Sequence, residues 1–244
     1  MDRIIKITLG LFIVILVLFT GTFMYNSYIE NSYRSSLSST YTYTCTISTD
    51  SPLYNVTLFI PIPTDKAGKS PIVSQFSARE VPGVPSTWKT SVLGSQKVTM
   101  LEITTDAIVP PAGTSAKNPY VISFGTELRT KEPIDTVNPV LNSAMFRPVQ
   151  NAGTAACRAG SPPGASCYTY VTSVYADYTA NPNAEVKFAS TLVGRNSWKI
   201  FEPKSNEYRT EVSLLMFGDN HKWTMAQGFL ETGIGANDAP SLGS

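Results

Sequence analysis

The chain has 244 residues, 42% of them hydrophobic, and its 19 basic and 18 acidic residues give a formal net charge of +1. A charge this close to zero, spread thinly and without a basic stripe, argues against a nucleic-acid partner. A zinc site of the usual kind needs about four cysteine, histidine or carboxylate ligands at suitable spacing, and the chain has one histidine, His221, and three scattered cysteines. We therefore predict no metal and no cofactor.

The first predicted element is a membrane anchor. The chain carries no charged residue over residues 7–24, and with residues 4–25 included such a helix can cross a hydrocarbon core of about 30 Å and contact the lipid bilayer. Two basic residues precede the apolar run, and the next basic residue is Arg34. By the positive-inside tendency, the N-terminus is predicted to be cytoplasmic and the rest of the chain extracytoplasmic.

A cleaved signal peptide is the alternative to an anchor. Signal peptides have the same charged start, but their apolar region usually has about 7–15 residues and ends at a small-residue cleavage site. The run here is longer, and residues 20–22, "TGT", match such a site poorly, which favours an uncleaved single-pass anchor. The predicted organisation is a cytoplasmic N-terminus (1–6), a transmembrane helix (7–25), a spacer (26–38), an extracytoplasmic β domain (39–232) and a flexible tail (233–244).

The β domain begins with a threonine-rich strand. From residue 39 onward the hydrophobic period is two rather than 3.6, which is typical of strands. In "YTYTCTIST" Cys45 shares a face with Tyr41, Tyr43 and Ile47, whereas threonines occupy the other face. This alternation favours a buried, unpaired Cys45 over one that forms an intermolecular disulfide.

The next predicted strand contains a glycosylation sequon. In "LYNVTLFIPIP" one face is predicted to be buried and carries Tyr54, Val56, Leu58, Ile60 and Ile62. The tripeptide Asn55-Val56-Thr57 matches the N-x-S/T pattern, and Asn55 lies on the opposite face of the strand. In an exported chain Asn55 is therefore a candidate N-glycosylation acceptor.

Further strands are predicted along the rest of the chain, at 87–93, 97–105, 120–127, 168–178, 184–194, 197–202, 207–217 and 222–231. The last four are separated by the short polar sequences "GRNS", "PKSN" and "GDNH", a pattern typical of an antiparallel meander. Strands at this spacing with Pro/Gly-rich connections predict a mainly β fold, an antiparallel β-sandwich or an open barrel.

A segment of nearly forty residues, 128–166, interrupts this order. It is rich in proline and has weak periodicity, which predicts an insertion loop, and loops of this length inside a compact domain are often functional. Its central part, "VNPVLNSAMF", has room for a short helix or strand. A division of the chain near 130–165 into two β units needs more assumptions than one domain with an insertion.

Two cysteines lie at the far end of this loop. Cys157 and Cys167 bracket nine small, turn-forming residues. Thiols tend to pair outside the cytoplasm, and closing a loop of this length is worth about 2–3 kcal/mol in the loop-entropy model. Redox catalysis is disfavoured because no C-x-x-C motif is present. We predict a disulfide between Cys157 and Cys167.

The strand that follows is rich in tyrosine. In "CYTYVTSVYADYT" one face carries Tyr168, Tyr170 and Tyr178, and the other carries Tyr175. Exposed tyrosines in a row can stack on sugar rings or anchor a protein partner. Tyrosines in sheets are also typical of core edges and cross-strand pairs. Both interpretations stay open, with Tyr168, Tyr170 and Tyr178 as the candidate ligand contacts.

The sequence shows no catalytic constellation. Ser86 and Lys89 match S-x-x-K, but that pair acts across one helical turn, and this window is typical of a loop that enters a strand. His221 belongs to "GDNHKW", whose composition is that of a hairpin turn. We therefore predict that the protein is not an enzyme.

Three hypotheses for the function follow. The first is a non-catalytic structural, adhesive or accessory subunit that is held in the membrane and contacts other envelope proteins or itself. The second is a module that binds a glycan or a small solute through the 128–166 loop and the tyrosine strand. The third, a tethered hydrolase, requires distant carboxylates or Ser86 and Lys89 to converge in a pocket.

Overall fold

The computed structural model describes residues 2–77, 81–94 and 98–236. The protein is mainly β, as predicted, with 52% of the chain in strands and 19% in helices. Residue 97 of a predicted strand and residues 237–244 of the predicted tail lie outside the described residues. The elements in chain order are α1 (Asp2–Ser36), β1 (Ser38–Thr49), β2 (Leu53–Pro61), α2 (Val73–Ser77), β3 (Lys89–Gly94), β4 (Thr99–Ile108), β5 (Tyr120–Thr130), α3 (Pro139–Asn142), β6 (Gln150–Thr154), β7 (Ser166–Ala180), β8 (Glu185–Lys199), β9 (Pro203–Phe217) and β10 (Asn220–Gly235).

Helix α1 is one continuous helix of 35 residues, about 52 Å long at 1.5 Å per residue. It is long and apolar enough to span a membrane, and its most apolar stretch is not buried by any of the residues that the structure describes. The hydroxyls of Thr20 and Thr22 donate to the carbonyls four residues earlier, both at 2.7 Å, so their polarity is satisfied inside the helix. The helix continues to Ser36 and so takes the place of the predicted spacer.

Within the described residues, ten strands form one antiparallel sheet that curves into a half-barrel. The strand order is β3-β4-β2-β7-β10-β9-β8-β1-β5, and β6 pairs with β7 beside this path. The half-barrel corresponds to the open-barrel alternative of the predicted fold class. Strands from the two halves of the chain pair directly, β2 with β7 and β1 with β8, so the β region is one unit.

The C-terminal meander has longer strands than predicted. Strand β8 runs through "GRNS", which was wrongly predicted to be a turn, and it pairs with β9 from Glu185 to Lys199. Gly194 lies opposite Tyr208, and a Cβ at Gly194 would overlap the Tyr208 ring. Glycine is therefore present here because an aromatic ring covers it, and not because the chain turns.

The other two connections differ less from the prediction. "PKSN" belongs to the start of β9, so residues 200–202 join β8 to β9, while Gly218 and Asp219 join β9 to β10. The predicted flexible tail begins inside β10, which runs to Gly235.

A β-bulge at Asn55 changes which face of β2 is buried. Asn55 has a left-handed φ of 53°, and the register with β7 shifts between Tyr54 and Thr57. Leu53 and Val56 are consequently both buried, whereas Tyr54 is 49% exposed. The prediction that Tyr54 shares the buried face was wrong, because strict alternation has no place for the extra residue of a bulge.

The concave face of the half-barrel holds the main hydrophobic core. Phe76 of α2 and Phe146, just after α3, lie on the Tyr43 ring at centroid distances of 5.4 and 6.3 Å. The Tyr208 hydroxyl donates to the carbonyl of Ala144 at 2.6 Å. The segment predicted as an insertion loop, 128–166, thus contains the end of β5, α3 and β6, and part of it fills the barrel interior.

Cys45 lies in this core, fully buried and unpaired as predicted. Burial raises the pKa of its thiol to about 12. Burial also raises the pKa values of Tyr43 and Tyr208 well above that of an exposed tyrosine. All three groups are therefore neutral wherever the domain is folded under ordinary conditions.

We expect the domain to lose stability at alkaline pH. The folded state keeps the protons of Cys45, Tyr43 and Tyr208, whereas the unfolded chain releases them above its ordinary pKa values of 9.0 for the thiol and 10.0 for the phenols. These groups make their full contribution to the free energy of unfolding below about pH 9, and this contribution falls as the pH rises toward 12. Urea titrations of the protein in detergent across this range measure it, with Cys45→Ala removing the thiol's share. An unfolding midpoint that does not change with pH contradicts the prediction.

A second prediction concerns the bulge at Asn55. We expect Asn55→Val to lower the free energy of unfolding by about 1–2 kcal/mol, because a β-branched residue is strained in the left-handed region. Asn55→Gly should leave it nearly unchanged, since glycine adopts this conformation without strain. Both variants lack the glycan acceptor, so any difference in denaturation midpoint reports the backbone alone. Equal midpoints for the two variants would rule out the bulge.

Candidate functional site

Strand β7 directs two of the three predicted ligand contacts into the core. Tyr170 is 2% exposed and Tyr178 is fully buried, and the Tyr170 hydroxyl shares a hydrogen bond with Thr210 at 2.7 Å. Neither ring reaches solvent, which favours the core interpretation of Tyr170 and Tyr178 over contact with a ligand. Tyr168 is half-buried and packs on the edge of the core; its contact with a ligand stays a prediction.

The opposite face of β7 carries Tyr175, which builds an aromatic cluster on the outside of the sheet. The Tyr175 ring stacks on Phe59 of β2 with centroids 5.2 Å apart, and it contacts Trp223 of β10 at 5.4 Å. Phe59 and Trp223 are themselves 6.3 Å apart. Strand pairing places these residues side by side on three neighbouring strands. We call Phe59, Tyr175 and Trp223 the aromatic triad.

The triad lies at a fork in the sheet. Strand β7 pairs with β2 over residues 175–180 and with β6 over residues 168–171, so Ser173 lies where the two partner strands diverge. An open groove of about 550 Å³ occupies the fork. Its lining is mostly apolar, with the Ser173 hydroxyl and the Trp223 indole N–H as polar side-chain groups, and consists of Phe59, Leu93, Gly94, Val98, Met100, Pro148, Ser173 and Trp223. We call it the aromatic groove.

The rim of the aromatic groove is exposed and apolar. Trp223 is 55% exposed, and Leu93 and Met225 are exposed to a similar degree. Aromatic residues and methionine are enriched in protein interfaces, and tryptophan and tyrosine are among the residues that contribute most to binding. A contiguous apolar surface of this kind marks an interaction site more often than an isolated exposed side chain does.

A polar pair borders the triad on the same face. His221 lies across from Asp177, and their Nδ1 and Oδ1 atoms are 2.6 Å apart. The Tyr175 hydroxyl donates to the other Asp177 oxygen at 3.3 Å. Both members of the pair are partly exposed, so the pair gives the apolar surface a polar end at the start of β10.

Ser86 and Lys89, the pair considered for catalysis, do not line this groove. Ser86 lies in a turn and Lys89 begins β3, so the helical turn on which the S-x-x-K geometry depends is not formed. Among the residues that the structure describes, no group of three or more histidine, cysteine or acidic residues is arranged to hold a metal ion.

Cys157 and Cys167 form a disulfide with Cα atoms 5.2 Å apart. The loop between them folds over the outer face of β9 and β10. The Arg158 guanidinium lies 4.1 Å above the Phe229 ring and pairs with Glu211 at 2.9 Å, and the Ser161 hydroxyl donates to Glu231. The disulfide therefore fixes a loop that is attached to the sheet by its own side chains.

Asn55 is exposed and lies in a different groove from the triad. That groove has a volume of about 500 Å³ and a largely polar lining that includes Thr57, Thr87, Lys89 and Asp106. The side chain is accessible from solvent at the bulge. Glycosylation at Asn55 stays a prediction.

Neither a protein-family model, nor a curated protein, nor a solved structure matches the chain.

Removal of the disulfide tests its structural role. We expect the double variant Cys157→Ala and Cys167→Ala to lower the free energy of unfolding by about 2–3 kcal/mol, because the unfolded chain regains the freedom of the closed loop. Thermal unfolding of the two proteins side by side measures the difference. Arg158→Ala serves as a control for the loop's side-chain contacts, the ion pair with Glu211 and the cation–π contact with Phe229, each worth at most about 1 kcal/mol. A double variant as stable as the parent would contradict the prediction.

Proposed function

We propose that the protein is a single-pass membrane protein whose extracytoplasmic β domain binds another envelope protein through the aromatic groove. In this role it is a non-catalytic accessory or adhesive subunit. The observation that carries the proposal is the aromatic triad, three rings in mutual contact on the outer face of the sheet with Trp223 more than half exposed.

The anchor and its orientation rest on α1 and on the cysteines. An apolar helix preceded by two basic residues is typical of an anchor with a cytoplasmic N-terminus. A disulfide in the β domain suits an oxidising compartment outside the cytoplasm. Together these features support a location in the cell membrane, with the β domain outside.

The chemistry of the groove favours a protein partner over a glycan. Sugars present many hydroxyls, and a site that recognises them supplies several polar groups besides a stacking ring. The lining of the aromatic groove offers a single hydroxyl, from Ser173. An apolar side chain of a partner protein matches such a lining, because its burial needs no hydrogen bonds.

A crosslinking experiment tests the proposed function. The full chain is crosslinked in membranes of cells that make it, and adducts of the parent, Trp223→Ala and Tyr54→Ala are compared. Truncating a tryptophan that dominates an interface costs about 2 kcal/mol or more, roughly 30-fold in affinity. We therefore expect Trp223→Ala to lose a specific protein adduct. Tyr54 is a matched control because it is an aromatic residue, exposed to a similar degree, outside the groove.

The outcomes separate the hypotheses. Loss of one protein adduct in Trp223→Ala, with retention in Tyr54→Ala and in Trp223→Phe, supports the proposal. Identical adducts in all variants overturn the role of the groove. Binding of the parent to a glycan array, lost in Trp223→Ala while protein adducts persist, would replace the protein partner with a sugar.

A further inference from the structure

The end of helix α1 is built into the β domain. Tyr33 and Leu37 form a small buried cluster with Trp198 of β8, and the Tyr33 and Trp198 ring centroids are 5.6 Å apart. This cluster is separate from the main core and joins the helix to the base of the half-barrel.

Hydrogen bonds hold the same junction. The Ser36 hydroxyl donates to the carbonyl of Lys199 and accepts from its backbone N–H, both at 2.9 Å. Lys131 Nζ donates to the carbonyl of Leu37 at 3.1 Å, and β1 starts at the very next residue, Ser38. The helix thus enters the sheet without a linker, so its position fixes the position of the domain.

The hairpin between β8 and β9 reaches back along the helix toward the predicted membrane span. Ile200 packs on the Tyr33 cluster, and the Phe201 ring lies 6.1 Å from the ring of Tyr28. Tyr28 is eight residues before Ser36, which is about 12 Å along the helix. Phe201 is 66% exposed although it contacts Tyr28.

The positions of charged residues along α1 indicate where the membrane surface lies. Residues 7–29 carry no charge, and the first charged residue after them, Glu30, pairs with Arg34 at 2.6 Å. Tyr28 lies about 6 Å beyond Met24, the end of the most apolar run. This height falls within the polar headgroup layer, about 5–8 Å thick on each side of the hydrocarbon core, where tyrosine is enriched.

We infer that the tip of the β8–β9 hairpin is a second membrane contact, in which Phe201 enters the headgroup layer of the leaflet from which α1 emerges. The inference rests on α1 being the membrane anchor of the proposed function. The tip also carries one exposed cation, Lys199, and one exposed acid, Glu202. A long basic side chain extends its charge into the headgroup layer, and apolar rings beside basic side chains are typical of segments that lie at the membrane interface. Two contacts set the tilt of the β domain on the bilayer.

Depth-dependent fluorescence quenching tests the contact. The full chain, reconstituted into phosphatidylcholine vesicles, carries an environment-sensitive fluorophore on Phe201→Cys, on Phe217→Cys or on Phe19→Cys. Spin-labelled lipids quench either at the headgroup or in the middle of the acyl chains. The native cysteines do not interfere, because Cys45 is buried and the other two form the disulfide.

Phe217 is the matched control. Its exposed fraction, 63%, is similar to that of Phe201. It lies at the other end of β9, about 45 Å along the strand. Phe19, in the middle of the apolar run, reports whether α1 is inserted. We expect blue-shifted emission and quenching from the headgroup position for the label at 201, none for the label at 217, and quenching from the acyl position for the label at 19.

The failures are distinguishable. If the label at 19 is quenched but the label at 201 behaves like the one at 217, the hairpin contact is overturned and the anchor is supported. A label at 19 that lipid quenchers do not reach overturns the anchor, and with it both the proposed location and this inference.

Discussion

The half-barrel depends on the filling of its concave face. A half-barrel is open on one side, so its concave face needs further groups to cover it and to exclude water from the core. The segments that connect the strands supply these groups. Phe76 and Phe146, which do not belong to strands, pack on the Tyr43 ring. The Tyr208 hydroxyl donates to the carbonyl of Ala144, in the segment that contains Phe146. These contacts join segments that are distant in sequence, so the connections and the sheet share one hydrophobic core.

A filled interior leaves the outer face for binding. In a barrel with an open lumen the inward rings of β7 would meet a ligand, but here Tyr170 and Tyr178 serve the core. On the outer face, away from the part of β9 and β10 that the disulfide loop covers, the fork between β2 and β6 exposes the groove that the triad borders. The same alternation that buries one set of tyrosines thus places Tyr175 beside Phe59 and Trp223.

Much of the fold can be predicted from local sequence patterns, whereas the candidate site cannot. Period-two patterns predict the strands, and the alternation around Cys45 correctly predicts its burial. Polar Thr169, Ser173 and Asp177 on one face of β7 also carry a usable signal that the other face is buried. The bulge at Asn55 and the ring over Gly194 escape prediction, because each depends on a neighbouring strand. The triad joins Phe59 to Trp223 across more than 160 residues, so it follows only from the order of β2, β7 and β10.

The junction between α1 and the β domain fixes the aromatic groove relative to the apolar helix. A domain on a flexible linker samples many orientations, and a partner that binds it must pay for losing that freedom. Here no flexible linker separates α1 from the β domain, because the hydrogen bonds between Ser36 and Lys199 and the Tyr33 cluster hold the helix against it. With the helix in a bilayer, the aromatic groove would be held at one height and one tilt. A partner anchored in the same membrane would then meet the groove in a restricted geometry, where confinement raises its effective concentration. Modest contact area is sufficient under these conditions, which suits a groove of this size.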